Sequence, residues 1–382
     1  MGGESENAVR RSAVARRVLE IAAFIPVTIA GGVLIQTYLN GARNSDFRLF
    51  YEYIERARLG LPLYGPLTVA DRVWEHGPNL NPPHFYILVA PFTLLPLNAA
   101  FLGWMMAGAV AILAAAVVAQ RDLRADWTPA AAAIILNNAA LNSTVRTGQL
   151  SLLLALPVTL AWRAARHARW APLGAWLGLA ASVKPFLLIV LPYLLLRRRW
   201  SAVAAMMLTI SGCVASGALV FGFDALRDWV GVLAHQARMD THFHNASWMG
   251  FAARALPAQW LPVSIVVAAV GVLVTVAVAS RAHSVDRAWL LMMIGALLWS
   301  PLGWIYYGWI LMPPAVAWAL EGRMPRLIWA GAMLWLWPPY TPSLSEASAI
   351  VAGTAGSVYF WGLFLAWIGA AQGALAPADG PR

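Results

Sequence analysis

Cysteine, lysine and charge are all scarce in this chain. Cys213 is the only cysteine of 382 residues and sits inside an apolar run, so neither a disulfide framework nor a cysteine metal site is available. Charged residues make up 12% of the sequence against 60% hydrophobic ones, which excludes a soluble globular composition. No fixed-period repeat, low-complexity segment or appended soluble domain interrupts the pattern. What is present instead is a series of apolar runs, such as 19–39 and 261–279, long enough to cross a hydrocarbon core of about 30 Å as helices. Open sheets there would strand backbone polar groups, so the expected fold is all-α and polytopic.

The net charge of +10 does not imply nucleic acid, because short cytoplasmic loops also accumulate basic residues. Arg10, Arg11, Arg16 and Arg17 precede the first run, which is read as a helix of the mature protein with a cytoplasmic N-terminus. About twelve crossings follow from the runs, which include 128–143, 171–183 and 185–196. The proline-broken stretch 82–96 is decided by charge parity. If it does not cross, 13 later basic residues, from Arg121 to Arg382, fall inside and five, including Arg146, Lys184 and Arg254, fall outside. It is therefore read as re-entrant or surface-lying. The expected organisation is one membrane-embedded unit, 1–382, with a cytoplasmic start (1–18) and extracytoplasmic loops at 40–98 and 222–259. A flexible tail (373–382) ends it, with both termini cytoplasmic.

Within the first loop, Phe47, Phe50, Ile54 and Ala57 share one helical face opposite Arg48, Glu52, Glu55 and Arg56, which predicts an amphipathic helix lying in the membrane interface. Asn44 or Ser45 can cap it, and Asp46 then lies in the first turn, as a candidate base or as a plain helix-start carboxylate. Lys184 stands alone between two apolar runs and is followed by Pro185, either facing an anion or snorkelling from a helix end. Gly148 and Gln149, near Asn142, Thr144 and Arg146, form a polar cluster suited to sugar hydroxyls, or an ordinary polar loop. The second loop gathers His235, Asp240, His242, His244, Asn245 and Ser247, with Arg254 as a possible phosphate ligand; the spacing does not call for a metal. Trp304, Tyr306 and Tyr307 follow Ser300-Pro301, as a stacking platform or as interfacial anchors.

Taken in order, these segments resemble glycosyltransferase family 87 of the GT-C membrane glycosyltransferases. The matching pieces are Ser45-Asp46-Phe47, Gly60 to Tyr64, Asn81-Pro82-Pro83, Pro91 to Pro96, Gly148-Gln149, Val183-Lys184-Pro185, Arg197 to Trp200, Asn245-Ala246-Ser247 and Ser300-Pro301 to Tyr307. Actinobacterial members carry histidines after the Ser-Pro-x-x-Trp signature, where this chain has Tyr306 and Tyr307. The resemblance implies an inverting, polyprenyl-phosphate-dependent hexosyltransferase, mannose being the expected sugar, in a bacterial inner membrane. The acceptor would be lipid-linked or a cell-envelope glycan, and the active site extracytoplasmic. No cofactor is implied. Asp46 would be the base, and Lys184 and Arg254 would hold the donor phosphate. Asn81, Gln149, His242, His244, Asn245, Tyr306 and Tyr307 would bind sugar or acceptor. The rival readings are a lipid-linked glycan ligase or polymerase, and a lipid or solute transporter.

Overall fold

The computed structural model describes residues 2–42, 45–64, 67–69, 72–74, 80–235, 241–336, 344 and 348–376. Asn44 and Asp240 lie outside the described residues, as does the side chain of His235. The described residues are helical nearly throughout. A hairpin of two three-residue strands, β1 (Leu67–Val69) and β2 (Arg72–Trp74), is the only sheet among the described residues. Among the described residues five helical stretches are long and apolar enough to cross a bilayer: Ala13–Leu39, Leu97–Leu123, Trp200–Leu233, Ala258–Arg281 and Ala349–Leu375. Shorter apolar helices fill the spaces between them. Large apolar side chains such as Phe24, Leu208, Leu219 and Phe223 point outward and exposed. An outer surface of that kind is a lipid-facing one.

The helices that carry the site are α1 (Gly2–Leu39), α2 (Asp46–Arg58), α3 (Pro83–Val89), α4 (Leu97–Leu123), α5 (Thr128–Leu136), α6 (Asn138–Thr147), α7 (Ser151–Arg166) and α8 (Trp170–Val183). They are followed by α9 (Val190–Leu196), α10 (Trp200–His235), α11 (Trp248–Ala255), α12 (Leu261–Arg281) and α13 (Val285–Leu298). The series closes with α14 (Met312–Leu320), α15 (Arg326–Leu334), α16 (Ala349–Gly353) and α17 (Val358–Leu375).

Three features depart from the sequence reading. The run 128–143 is not one helix, because it breaks at Asn137 into α5 and α6. The second loop begins later than residue 222, since α10 continues to His235 past a kink at Gly222, where φ is 84°. The last helix likewise extends to Leu375, three residues into the expected tail.

One end of the bundle is held by ion pairs. Asp122 of α4 meets Arg163 (3.2 Å) and Arg166 (2.9 Å) of α7, and Arg166 also reaches Asp286 of α13 at 2.9 Å. Arg287 pairs with Glu321 just after α14 (3.3 Å), and Arg197 donates to the Ser280 carbonyl. At the same end Arg199 lies 4.0 Å from the Trp170 ring centre, so the segment 170–199 leaves and returns there. Its turning point is Lys184-Pro185, at the opposite end. The 14 residues of α8 reach only about 21 Å, less than a hydrocarbon core, so this turning point is recessed within the membrane thickness.

Candidate active site

Asp46 owes its position to a well-formed helix start. Ser45 caps α2: its Oγ accepts from the Arg48 N–H (3.3 Å) and donates to the Ala42 carbonyl (2.7 Å), a cap that contributes about 1 kcal/mol. Arg48 and Glu52, one turn apart at 2.5 Å, reinforce the helix. Its apolar face does not lie in lipid as the periodicity suggested. Phe47, Phe50, Tyr53 and Ile54 are buried against protein, with Phe50 edge-on to Phe85 (4.9 Å) and Phe47 packed on Phe101 and Trp104. Amphipathic spacing says that a face is covered, not what covers it.

The Asp46 carboxylate meets Gln149, whose Nε2 donates to Oδ2. Gln149 is delivered by a locked turn. Gly148 ends α6 in the left-handed conformation (φ 66°), and its carbonyl accepts from Trp104 Nε1 at 2.9 Å. The Gly148 and Gln149 N–H groups both donate to the Thr144 carbonyl. Burial pushes the Asp46 carboxyl above the ordinary carboxylate value, partly offset by the Gln149 hydrogen bond and by the charge of Lys184.

Lys184, at the break between α8 and the 3-10 turn Pro185–Ile189, donates from Nζ to Asn81 Oδ1 at 2.7 Å. Asn81 is buried, and its carbonyl accepts from the Tyr64 hydroxyl at 2.6 Å. Lys184 Nζ also lies 5.4 Å from the centre of the Tyr307 ring, which packs on Phe186. Tyr307 is buried, and its hydroxyl has no hydrogen-bond partner among the described residues. The structure thus gathers Asp46, Gln149, Lys184, Asn81 and Tyr307 into one constellation.

The second-loop residues form a neighbouring layer. Tyr306 meets Tyr307 edge-on (4.8 Å) and stacks on Trp304 (5.7 Å), which in turn faces His242 (5.8 Å). His242 stacks on Phe243 and lies 4.9 Å from His244, whose carbonyl accepts from the Ile305 N–H. Asn245 is fully buried: its Oδ1 accepts from the Gly303 and Ser247 N–H groups, and its Nδ2 donates to the Pro301 carbonyl. Arg254, expected at a phosphate, donates into this layer. Its Nε donates to Ser357 Oγ (3.0 Å), Nη1 to the His242 carbonyl (2.9 Å) and Nη2 to the Asn245 carbonyl (3.1 Å). Among the described residues no group of three or more His, Cys, Asp or Glu is arranged to hold a metal ion.

Two contributors escaped the sequence reading. Trp104 pins Gly148 from inside an apolar run, where nothing marks it out. His84 is buried three residues after Asn81, its ring set against the Ser182 backbone two residues before Lys184. Its place directly after Pro82-Pro83 was the available signal.

The family model of glycosyltransferase family 87 matches residues 79–303, more than half of the chain. The chain belongs to glycosyltransferase family 87. The matched region contains Asn81, Gln149, Lys184, His242, His244, Asn245, Arg254 and Ser300-Pro301, while Asp46 precedes it and Trp304, Tyr306 and Tyr307 follow it. Two curated relatives carry the same description, "Polyprenol-phosphate-mannose-dependent alpha-(1-2)-phosphatidylinositol pentamannoside mannosyltransferase". One, from Mycolicibacterium smegmatis, is 27% identical over 328 residues, covering 80% of this chain and 76% of the relative. The other, from Mycobacterium tuberculosis, is 28% identical over 351 residues, covering 84% and 77%. No solved structure matches this family 87 chain.

Proposed function

We propose that this family 87 enzyme transfers a hexose, mannose by analogy with its relatives' descriptions, from a polyprenyl-phosphate donor to a lipid-linked or cell-envelope glycan acceptor. The architecture is of GT-C type, a single unit, 1–382, in which five long helices cross the bilayer and shorter apolar helices pack between them. Catalysis takes place on the extracytoplasmic side, because the basic residues concentrate at the other end of the bundle. The observation that carries the reading is the constellation of one carboxylate, Asp46, held by Gln149, and one cation, Lys184, held by Asn81, the two acting on each other electrostatically between helix ends.

In the reaction, Asp46 takes the proton of an acceptor hydroxyl as its oxygen attacks the anomeric carbon from the face opposite the phosphate. The bond from that carbon to the phosphate oxygen breaks, and polyprenyl phosphate leaves with its electron pair. A phosphate leaves without needing a proton, so one base suffices and the anomeric configuration inverts. Lys184 binds the phosphate as its charge grows. Asn81 orients that ammonium, while Tyr306, Tyr307, His242 and His244 line the sugar side. Asn245 and Arg254 hold the loop that carries them.

The test is transfer from a polyprenyl-phosphate sugar by purified protein in lipid, with donor binding measured separately. Asp46→Asn keeps shape but cannot take the proton, so turnover should fall about a hundredfold or more with donor binding retained. Glu52→Gln and Glu55→Gln, which remove the partners of Arg48 and Arg58, should be much milder. Near-normal turnover by Asp46→Asn would refute the mechanism.

A further inference from the structure

Gln149 has so far been counted among the sugar ligands, yet its amide is already committed. Its Nε2 donates to Asp46 Oδ2, and a carboxylate can only accept, so this contact fixes which way the amide points. Rotating the amide would set Oε1 against the carboxylate. The backbone below allows no other delivery: Gly148 is held by Trp104 and by its left-handed turn, and Gln149 itself is buried.

Resting on the reading of Asp46 as the base, we infer that Gln149 is the positioning residue for that base. Its amide N–H holds Oδ2 and leaves Oδ1 as the oxygen that takes the acceptor proton. No hydrogen bond to Oδ1 from another side chain is present among the described residues. Gln149 Oε1 is buried and likewise has no partner among the described residues. It is therefore available to a hydroxyl of the bound sugar, which ties the register of the sugar to the orientation of the base.

A pH profile separates positioning from plain sugar binding. Besides Gln149, the groups that act on Asp46 are Lys184 from the end of α8 and Tyr307 from the turn Ile305–Leu311; on α2 itself, Arg48 is paired with Glu52. A hydrogen bond donated to a carboxylate favours its charged form, so removing it raises the pKa. Activity needs Asp46 deprotonated, so the acid limb of kcat/KM should move to higher pH. For Gln149→Met, which keeps length without the donor, a shift on the order of one pH unit is expected, about tenfold in rate below the limb. Loss of Oε1 should also raise the sugar KM by up to about tenfold, so the position of the limb, not KM, is the deciding readout. Gln149→Glu places a second carboxylate against the first and should move the limb further in the same direction. It carries the test if the Met variant does not fold. An unmoved limb with raised KM makes Gln149 a sugar ligand only, and an unmoved limb with a uniform loss makes it structural; either result overturns the inference. Asp46→Asn, run alongside, reports separately on the base: if it stays active, the reading of Asp46 falls whatever the Gln149 variants do.

Discussion

Gly148→Ala is the change that should expose how tightly Asp46, the proposed base, is built into the fold. Two costs apply at this position. The left-handed backbone, φ 66°, costs a residue with a Cβ about 1–2 kcal/mol. The added Cβ would also lie 2.7 Å from Phe47 Cβ and 2.9 Å from Phe101 Cε2, where ordinary contact begins near 3.4 Å. Phe47 Cβ is fixed to the α2 backbone, so relief requires α2 to move by about 0.7 Å. Overpacking of this kind costs about 1–3 kcal/mol. Gly60, just past the other end of α2, supplies the control. It has nearly the same backbone, φ 71°, but nothing within 4 Å of its Cβ direction, so Gly60→Ala bears the backbone cost alone. The difference between the two variants in thermal unfolding, in micelles or nanodiscs, should therefore be about 1–3 kcal/mol. Function should separate them further. Phe47 adjoins Asp46, and displacing a catalytic group by about 1 Å costs on the order of a hundredfold, so Gly148→Ala should lose roughly tenfold to a hundredfold in turnover while Gly60→Ala stays near wild type. Equal stability losses and equal turnover in the two variants would refute the claim that the Gly148 turn sets the position of Asp46.

Two further outcomes follow from the cations. Lys184→Ala should weaken binding of a polyprenyl-phosphate donor roughly tenfold to a hundredfold, the worth of one charge-assisted hydrogen bond, with Lys184→Arg affected less. Unchanged affinity in both variants would leave Lys184 as a helix-end anchor. Arg254→Lys keeps the charge but loses the three-way grip on Ser357, His242 and Asn245, so it should destabilise the protein by about 3 kcal/mol with donor affinity intact. A selective loss of donor affinity would return Arg254 to the phosphate.

The parts of this molecule that the sequence discloses are those governed by local rules. Composition requires an all-helical membrane protein, because lipid offers backbone groups no partner. The Ser45 cap and the Lys184-Pro185 break are visible because capping and proline act within three or four residues. What escapes is contact between distant segments. Gln149 meets Asp46 across 103 residues, and Lys184 meets Asn81 across the same separation. Arg254 shows what residue type alone does not disclose: it donates to the His242 and Asn245 backbone carbonyls, groups that every residue possesses and no motif marks. The break at Asn137 likewise divides a run whose apolar composition reads as one helix. Helix length is the link between the two levels. Since α7 has 16 residues and α8 has 14, the chain turns back about 21–24 Å from the ion-paired end, short of a hydrocarbon core. That shortness draws Gln149 and Lys184 below the membrane surface, to the depth where the buried α2 holds Asp46. The site is therefore a product of two short helices that the sequence does encode, meeting a capped helix that it also encodes, at a depth set by the length of each.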